Sequence, residues 1–176
     1  IYRLRHRLHD GGWSPVISRE VIERGHAVAA LLYDPERDTL VMIEQFRIGA
    51  FAAGRAAWLS ELVAGIIEPG EPPVDVARRE ALEEAGCAVR DFRLIHDFVL
   101  TPGCSSETIR LYLGLVDSGG VGGVHGVKDE HEDIRAVVVP WAQARADLAA
   151  GRVDNAIAII GLQWLALHRE ELRAGG

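Results

Sequence analysis

Residues 27–33 form an unbroken apolar run, residues 34–38 (DPERD) carry turn chemistry, and residues 39–46 resume a strand-like pattern, which predicts a β-hairpin. Residues 58–63 are again largely apolar and lead into Gly65, followed by a loop rich in Pro, Gly and Glu over 68–73. From 74 to 85 the spacing turns helical, and Gly86 supplies a natural C-terminal stop. Residues 92–100 and 108–116 read as strands. In the second, Ile109, Leu111, Leu113 and Leu115 alternate with smaller or more polar neighbours, as a half-buried sheet requires. A strand at 134–139 precedes helices at 141–150 and 155–172, with Asp154 placed to cap the last. Strands scattered among three helices, without regular βαβ alternation, predict an α+β or mixed α/β sandwich.

The 176 residues are 48% hydrophobic and 26% charged, a balance that fits one globular domain and excludes global disorder. A chain of this size buries about 70% of the surface its unfolded form exposes. No uninterrupted apolar stretch approaches the ~20 residues a membrane span needs. With 19 Lys and Arg against 26 Asp and Glu, the net charge of −7 argues against nucleic acid or an anionic membrane as partner. It leaves an anionic small molecule open, provided cations are recruited locally. Cys87 and Cys104 form neither a ligand pair nor a disulfide framework, so a reduced, cytoplasmic setting is expected.

The helix at 74–85 carries the chemistry. At 100° per residue Val74, Ala77, Ala81 and Ala85 share one narrow stripe, while Glu80, Glu83 and Glu84 gather on another flank. Glu80 and Glu84 are i,i+4 neighbours that repel, and acids near a helix C-terminus oppose its dipole. A hard divalent cation such as Mg²⁺ or Mn²⁺ would remove both costs and would also bind substrate phosphates. A solvated acidic face is the alternative that composition leaves open.

The full string, G-x5-E-x7-R-E-x-x-E-E-x-G from Gly65 to Gly86, resembles the Nudix box at every fixed position, with Cys87 standing where that family has an apolar residue. The resemblance implies an α/β/α sandwich around a mixed sheet and Mg²⁺-dependent hydrolysis of nucleoside diphosphates linked to another group, with two or three ions. It makes Glu80, Glu84 and the backbone carbonyl of Ala64 metal ligands, brings Glu83 close enough to share a cation, and leaves Glu71 and Arg79 to tie loop and helix together. Gly65 and Gly70 are expected to permit tight backbone turns.

Outside the box, Glu23 to His26, Glu44 to Arg47, Glu61 to Gly65, Asp154 to Ala156 and Pro102 are similar to the ADP-ribose pyrophosphatase subgroup. Residues 117–133 form a long loop with Gly119, Gly120, Gly122, Gly123 and Gly126 for mobility and acids at its end. By the resemblance such a loop closes over substrate, with Glu130 as the base that deprotonates water and Glu132 as a further metal ligand, or the two in reverse order. Arg19, Glu20, Arg24 and Arg47 match positions contacting the nucleotide or diphosphate; Ile66, Thr101, Pro102, Gly103 and Glu107 match positions lining the ribose side. His125 and His131 lack partner ligands for zinc. One domain over 1–176 is expected, with the family's N-terminal segment lying before Ile1, and so is a homodimer. The expected reaction yields AMP and ribose 5-phosphate. The alternatives are a pyrophosphatase for another sugar nucleotide, such as GDP-mannose, and a non-catalytic ADP-ribose sensor.

Overall fold

A computed structural model describes residues 1–127, 129 and 131–175. The hairpin is present as β3 (Ala27–Asp34) and β4 (Thr39–Phe46), and every residue of β3 is buried, as its apolar run requires of a central strand. The hairpin is zipped only at its turn, where Leu32, Tyr33 and Asp34 face Val41, Leu40 and Thr39. Beyond that the two strands splay. Into the wedge run β5 (Trp58–Glu61), which pairs with β4, and β6 (Val63–Ile66), which pairs with β3. The stretch at 58–63 is therefore two strands serving two partners, with Leu62 at the switch.

On its other edge β3 runs parallel to β8 (Thr108–Val116), which pairs antiparallel with β7 (Val89–Val99). β4 continues to β10 (Ile134–Pro140) and then to β9 (Gly123–His125). The result is a mixed eight-stranded sheet in the order β7-β8-β3-β4-β10-β9, with β5 and β6 in the wedge. A separate pair, β1 (Tyr2–Leu4) and β2 (Ile17–Arg19), lies outside it.

Helices cover both faces. α2 (Pro73–Ala85) packs on one, where Ala81 and Ala85 join Leu32, Val41, Ile43 and Val63. On the other, α3 (Trp141–Ala149) and α4 (Ala156–Ala174) bury Trp141, Ala144, Leu162 and Leu165 against Leu31, Tyr33, Leu40 and Met42. A short α1 (Ile48–Ala52), unanticipated from the sequence, follows β4.

Several local expectations are corrected. The apolar stripe of α2 includes Val76 rather than Val74, and Glu84 belongs to the buried face. The cap of α4 is Asn155, whose side-chain oxygen accepts from the Ala158 N–H at 2.9 Å; Asp154 is taken by Arg55, at 2.6 Å. The long glycine-containing loop is tied down rather than loose throughout: Ser118 donates to Asp34 through both its N–H and its hydroxyl, and β9 pairs with β10.

Candidate active site

The splayed hairpin and the C-terminal half of α2 define the site. α2 starts at Pro73, whose fixed φ suits a first helical turn, and ends at Gly86 in the left-handed conformation (φ 60°). Its buried stripe of alanines lets the helix axis approach the sheet closely, and the approach carries the acids against β6. The Glu84 carboxylate is buried and accepts the Ala64 N–H at 3.0 Å. Glu80 lies against the backbone of the next residue: a Cβ on Gly65 would fall 2.0 Å from Glu80 Oε1. Gly65 is thus required for space beside Glu80, not for a tight turn, whereas Gly70 does adopt a positive φ of 91°.

Burial pushes the Glu84 carboxyl up to about 8; the Ala64 N–H opposes that push, and the charges of Glu80 and Glu132 add to it. Burial likewise raises Glu80, opposed by Arg79 and reinforced by Glu83 and Glu132. Three carboxylates therefore crowd one another with few compensating charges. Arg79 reaches Glu80 at 2.8 Å, Glu83 at 3.0 Å and Glu71 at 3.7 Å, so it does tie the 68–73 loop to the helix. Arg47 is held on the other side by Glu61, with two nitrogens on Oε2 at 3.0 and 2.7 Å.

Glu61 stood in the sequence only as part of the stretch Glu61 to Gly65, with no role of its own, although it carries a signal: it repeats Leu59 on the strand period and pairs with Ile43, so a charge occupies a position facing α2. Gln45, inside the stretch Glu44 to Arg47, likewise had no role assigned to it. It shares a face of β4 with Ile43, two residues earlier, and its side-chain oxygen is buried with no partner among the described residues.

The donors here suit a hard dication. They are oxygens only: the Ala64 carbonyl and the carboxylates of Glu80, Glu84 and Glu132, with Glu132 among the charges that raise Glu80 and Glu84. Among the described residues no group of three or more His, Cys, Asp or Glu side chains is placed to hold a metal ion by itself. That arrangement suits an ion that keeps waters and takes substrate oxygens as ligands. Glu130 lies outside the described residues.

The other expected positions form a second group. Ile22 binds the turn after β7: its N–H donates to the Cys104 carbonyl at 2.8 Å, and its carbonyl accepts the Ser105 hydroxyl at 3.0 Å. This tie brings the segment bearing Arg19, Glu20 and Arg24 to the turn of Thr101, Pro102 and Gly103, with Glu107 at its end. Ile66, half exposed at the end of β6, pairs with Ala27, which also faces Ile109, so it stands between this turn and the carboxylates. Arg19 itself donates to the neighbouring Ser18 carbonyl.

Residues 23–158 match the NUDIX domain model, and the chain belongs to that family. It is 47% identical over 173 residues to the ADP-ribose pyrophosphatase of Escherichia coli strain K12, covering 98% of this chain and 83% of that protein. To the ADP-ribose pyrophosphatase of Haemophilus influenzae it is 43% identical over 174 residues, covering 97% and 80%. The GDP-mannose pyrophosphatase of Escherichia coli O1:K1 is 32% identical over 151 residues, covering 85% and 78%. The fold is shared with a crystal structure described as an ADP compounds hydrolase (TM-score 0.69, 21% identity, covering 99% of this chain and 86% of that one).

Proposed function

We propose that the chain hydrolyses the diphosphate linkage of ADP-ribose to AMP and ribose 5-phosphate, using Mg²⁺ or Mn²⁺. The observation that carries this reading is the buried Glu84 carboxylate beside the Ala64 backbone, raised by the charges of the half-buried Glu80 and Glu132, in a chain 47% identical to proteins named for that reaction. Ala64, Glu80, Glu84 and Glu132 would hold two or three ions, with Glu83 sharing one. Ions bound there would neutralise phosphate charge, lower the pKa of a bound water and orient it. Glu130, assigned by its place in the sequence, takes the proton from that water, a step worth about 10²–10⁴-fold; the reverse order of Glu130 and Glu132 remains the second assignment. Arg47, fixed by Glu61, offers a guanidinium to the diphosphate. Arg19, Glu20 and Arg24 bind the nucleotide end, while Ile66, Thr101, Pro102, Gly103 and Glu107 line the ribose.

We further infer a homodimer built on the β1–β2 ribbon, where Tyr2, Leu4, Trp13 and Val16 are exposed. A cytoplasmic setting accords with two unpaired cysteines, Cys87 and Cys104. Among the described residues no helix is long and apolar enough to cross a membrane.

The test is product analysis on a panel of sugar nucleotides with and without Mg²⁺. AMP and ribose 5-phosphate formed from ADP-ribose only with the cation support the reading, and a higher kcat/KM on GDP-mannose overturns the substrate assignment. Binding of ADP-ribose with no product would make the chain a sensor.

A further inference from the structure

Strand β9 does more than extend the sheet. The residue that follows it, Gly126, donates its N–H to the Glu83 carbonyl at 3.3 Å, one of the carbonyls that the end of α2 leaves without a helical partner. One residue earlier, the His125 ring lies over the helix stop: a Cβ on Gly86 would meet its Cε1 at 2.8 Å, while its Nε2 bonds the Gly122 carbonyl at 3.0 Å. On the other side of Gly126, Val127 and Glu132 bond each other. The Val127 N–H donates to Glu132 Oε2 at 3.0 Å, and the Glu132 N–H returns to the Val127 carbonyl at 3.4 Å.

Gly126 sits at the crossing of these contacts. Its φ is +106°, and a Cβ there would fall 2.7 Å from Glu132 Cβ and 3.2 Å from the Glu132 carbonyl oxygen. Only glycine permits both the backbone angle and the approach. One oxygen of Glu132 is occupied by the Val127 N–H, which restricts the rotamers of that side chain.

We propose that Gly126 is a positioning residue of the active site: by seating the loop on the last turn of α2 and packing against Glu132, it fixes the Glu132 carboxylate relative to Glu80 and Glu84. The proposal rests on the metal reading above and assigns the aim of Glu132 to a backbone clamp. It makes the end of α2 and the acidic loop one unit, so a change at a residue that can ligate nothing alters cation binding. Outer-shell partners of this kind are typically worth about 10–100-fold in metal affinity.

The experiment measures Mn²⁺ binding to the nucleotide-free full chain by electron paramagnetic resonance, for Gly126→Ala, Glu132→Gln, the double variant and Gly120→Ala. Gly120 has a comparable left-handed φ of +80° with open space around its Cβ position, so it carries the backbone strain without the clamp. The expected result is a Kd for Mn²⁺ about tenfold higher in Gly126→Ala, unchanged in Gly120→Ala, and no further rise when Gly126→Ala is added to Glu132→Gln. Wild-type Mn²⁺ affinity in Gly126→Ala, or effects that add in full in the double variant, would overturn the proposal. Should Gly126→Ala fail to fold, His125→Ala decides: a weaker loss in the same direction supports the clamp, and unchanged affinity overturns it. Glu80→Gln and Glu84→Gln separate the two levels. If they bind Mn²⁺ normally, the metal reading fails and takes the clamp with it; if they lose Mn²⁺ while Gly126→Ala does not, only the clamp fails.

Discussion

The protein buries acids in two places and treats them oppositely. At the β3–β4 turn, Asp34 is buried yet its carboxyl is lowered. Burial alone would raise it, but the Ser118 and Arg37 N–H groups, the Ser118 hydroxyl and the Arg37 guanidinium outweigh that push. Its neighbour Asp38 is lowered to about 2, chiefly by Arg169 and then by the Tyr33 hydroxyl, against burial. At the end of α2, Glu84 receives one N–H and faces other carboxylates. The turn acids are well supplied with donors, and Asp38 also ties α4 to the hairpin through Arg169. The helix acids are left short of donors, a cost to the fold that a bound cation would relieve. Structural charge and chemical charge are thus told apart by how completely the protein itself satisfies them.

The largest effect expected is on turnover. Glu84→Gln should lower kcat by about 10³-fold, since it removes a ligand from the charge-stabilising centre. The same variant should stabilise the metal-free chain. A carboxyl whose folded pKa is raised costs stability at all pH values above its unfolded pKa near 4, so an uncharged amide relieves a penalty on the order of 1 kcal/mol at pH 7. Urea denaturation in EDTA alongside steady-state kinetics checks both signs; a destabilised, active Glu84→Gln would break the contrast. Asp34→Ala should do the reverse, losing about 3–4 kcal/mol because five donors from Glu36, Arg37 and Ser118 lose their acceptor, while kcat per folded molecule holds.

A divalent cation should sharpen the same contrast. At about 100 times its Kd, Mn²⁺ should add about 2.7 kcal/mol to wild-type stability. Glu84→Gln should gain much less, and Asp34→Asn should gain as much as wild type. Thermal denaturation against Mn²⁺ concentration reads this directly.

The sequence made α2 and its acids legible because helical period, glycine stop and carboxylate spacing are local properties, and because the Nudix string specifies so many positions. It did not show that Glu84 is buried, since that depends on how closely an alanine stripe lets the helix approach β6. Nor did it show the splay of the hairpin: the pairing of residues 58–66 with two different strands is a long-range choice that no local period encodes. Arg47 was legible as a candidate, while Glu61, which holds it, was not; its facing follows from register. Gly65 and Gly126 were visible as glycines, but the atoms that exclude a side chain, those of Glu80 and Glu132, lie 15 and 6 residues further along the chain.

The turn acids give the acid limb of stability. Asp38 has an unfolded pKa near 3.9 and a folded value of about 2. Its contribution is complete above about pH 4 and is lost as pH falls through 2, and Asp34, also lowered, acts in the same direction. Wild-type stability should fall by about 2 kcal/mol across that window, with Asp38→Asn showing a shallower fall. Denaturation midpoints measured between pH 2 and 5 check the slope.

The smallest effect lies at the start of α4, where two neighbouring polar residues compete for one role. Asn155 does two jobs at once: its oxygen caps the Ala158 N–H, and its Nδ2 donates to the Ser60 carbonyl at 2.8 Å, joining the helix to β5. Among the described residues Asp154 pairs only with Arg55, at the surface. Asn155→Ala should therefore cost about 1 kcal/mol, the usual value of a lost N-cap, and Asp154→Ala no more than about 0.5 kcal/mol, as for an exposed ion pair. The pair of urea midpoints decides between the caps. Because β5 also carries Glu61, which holds Arg47, Asn155→Ala should in addition raise KM slightly while Asp154→Ala leaves it unchanged, linking the helical face that serves stability to the strand that serves the site.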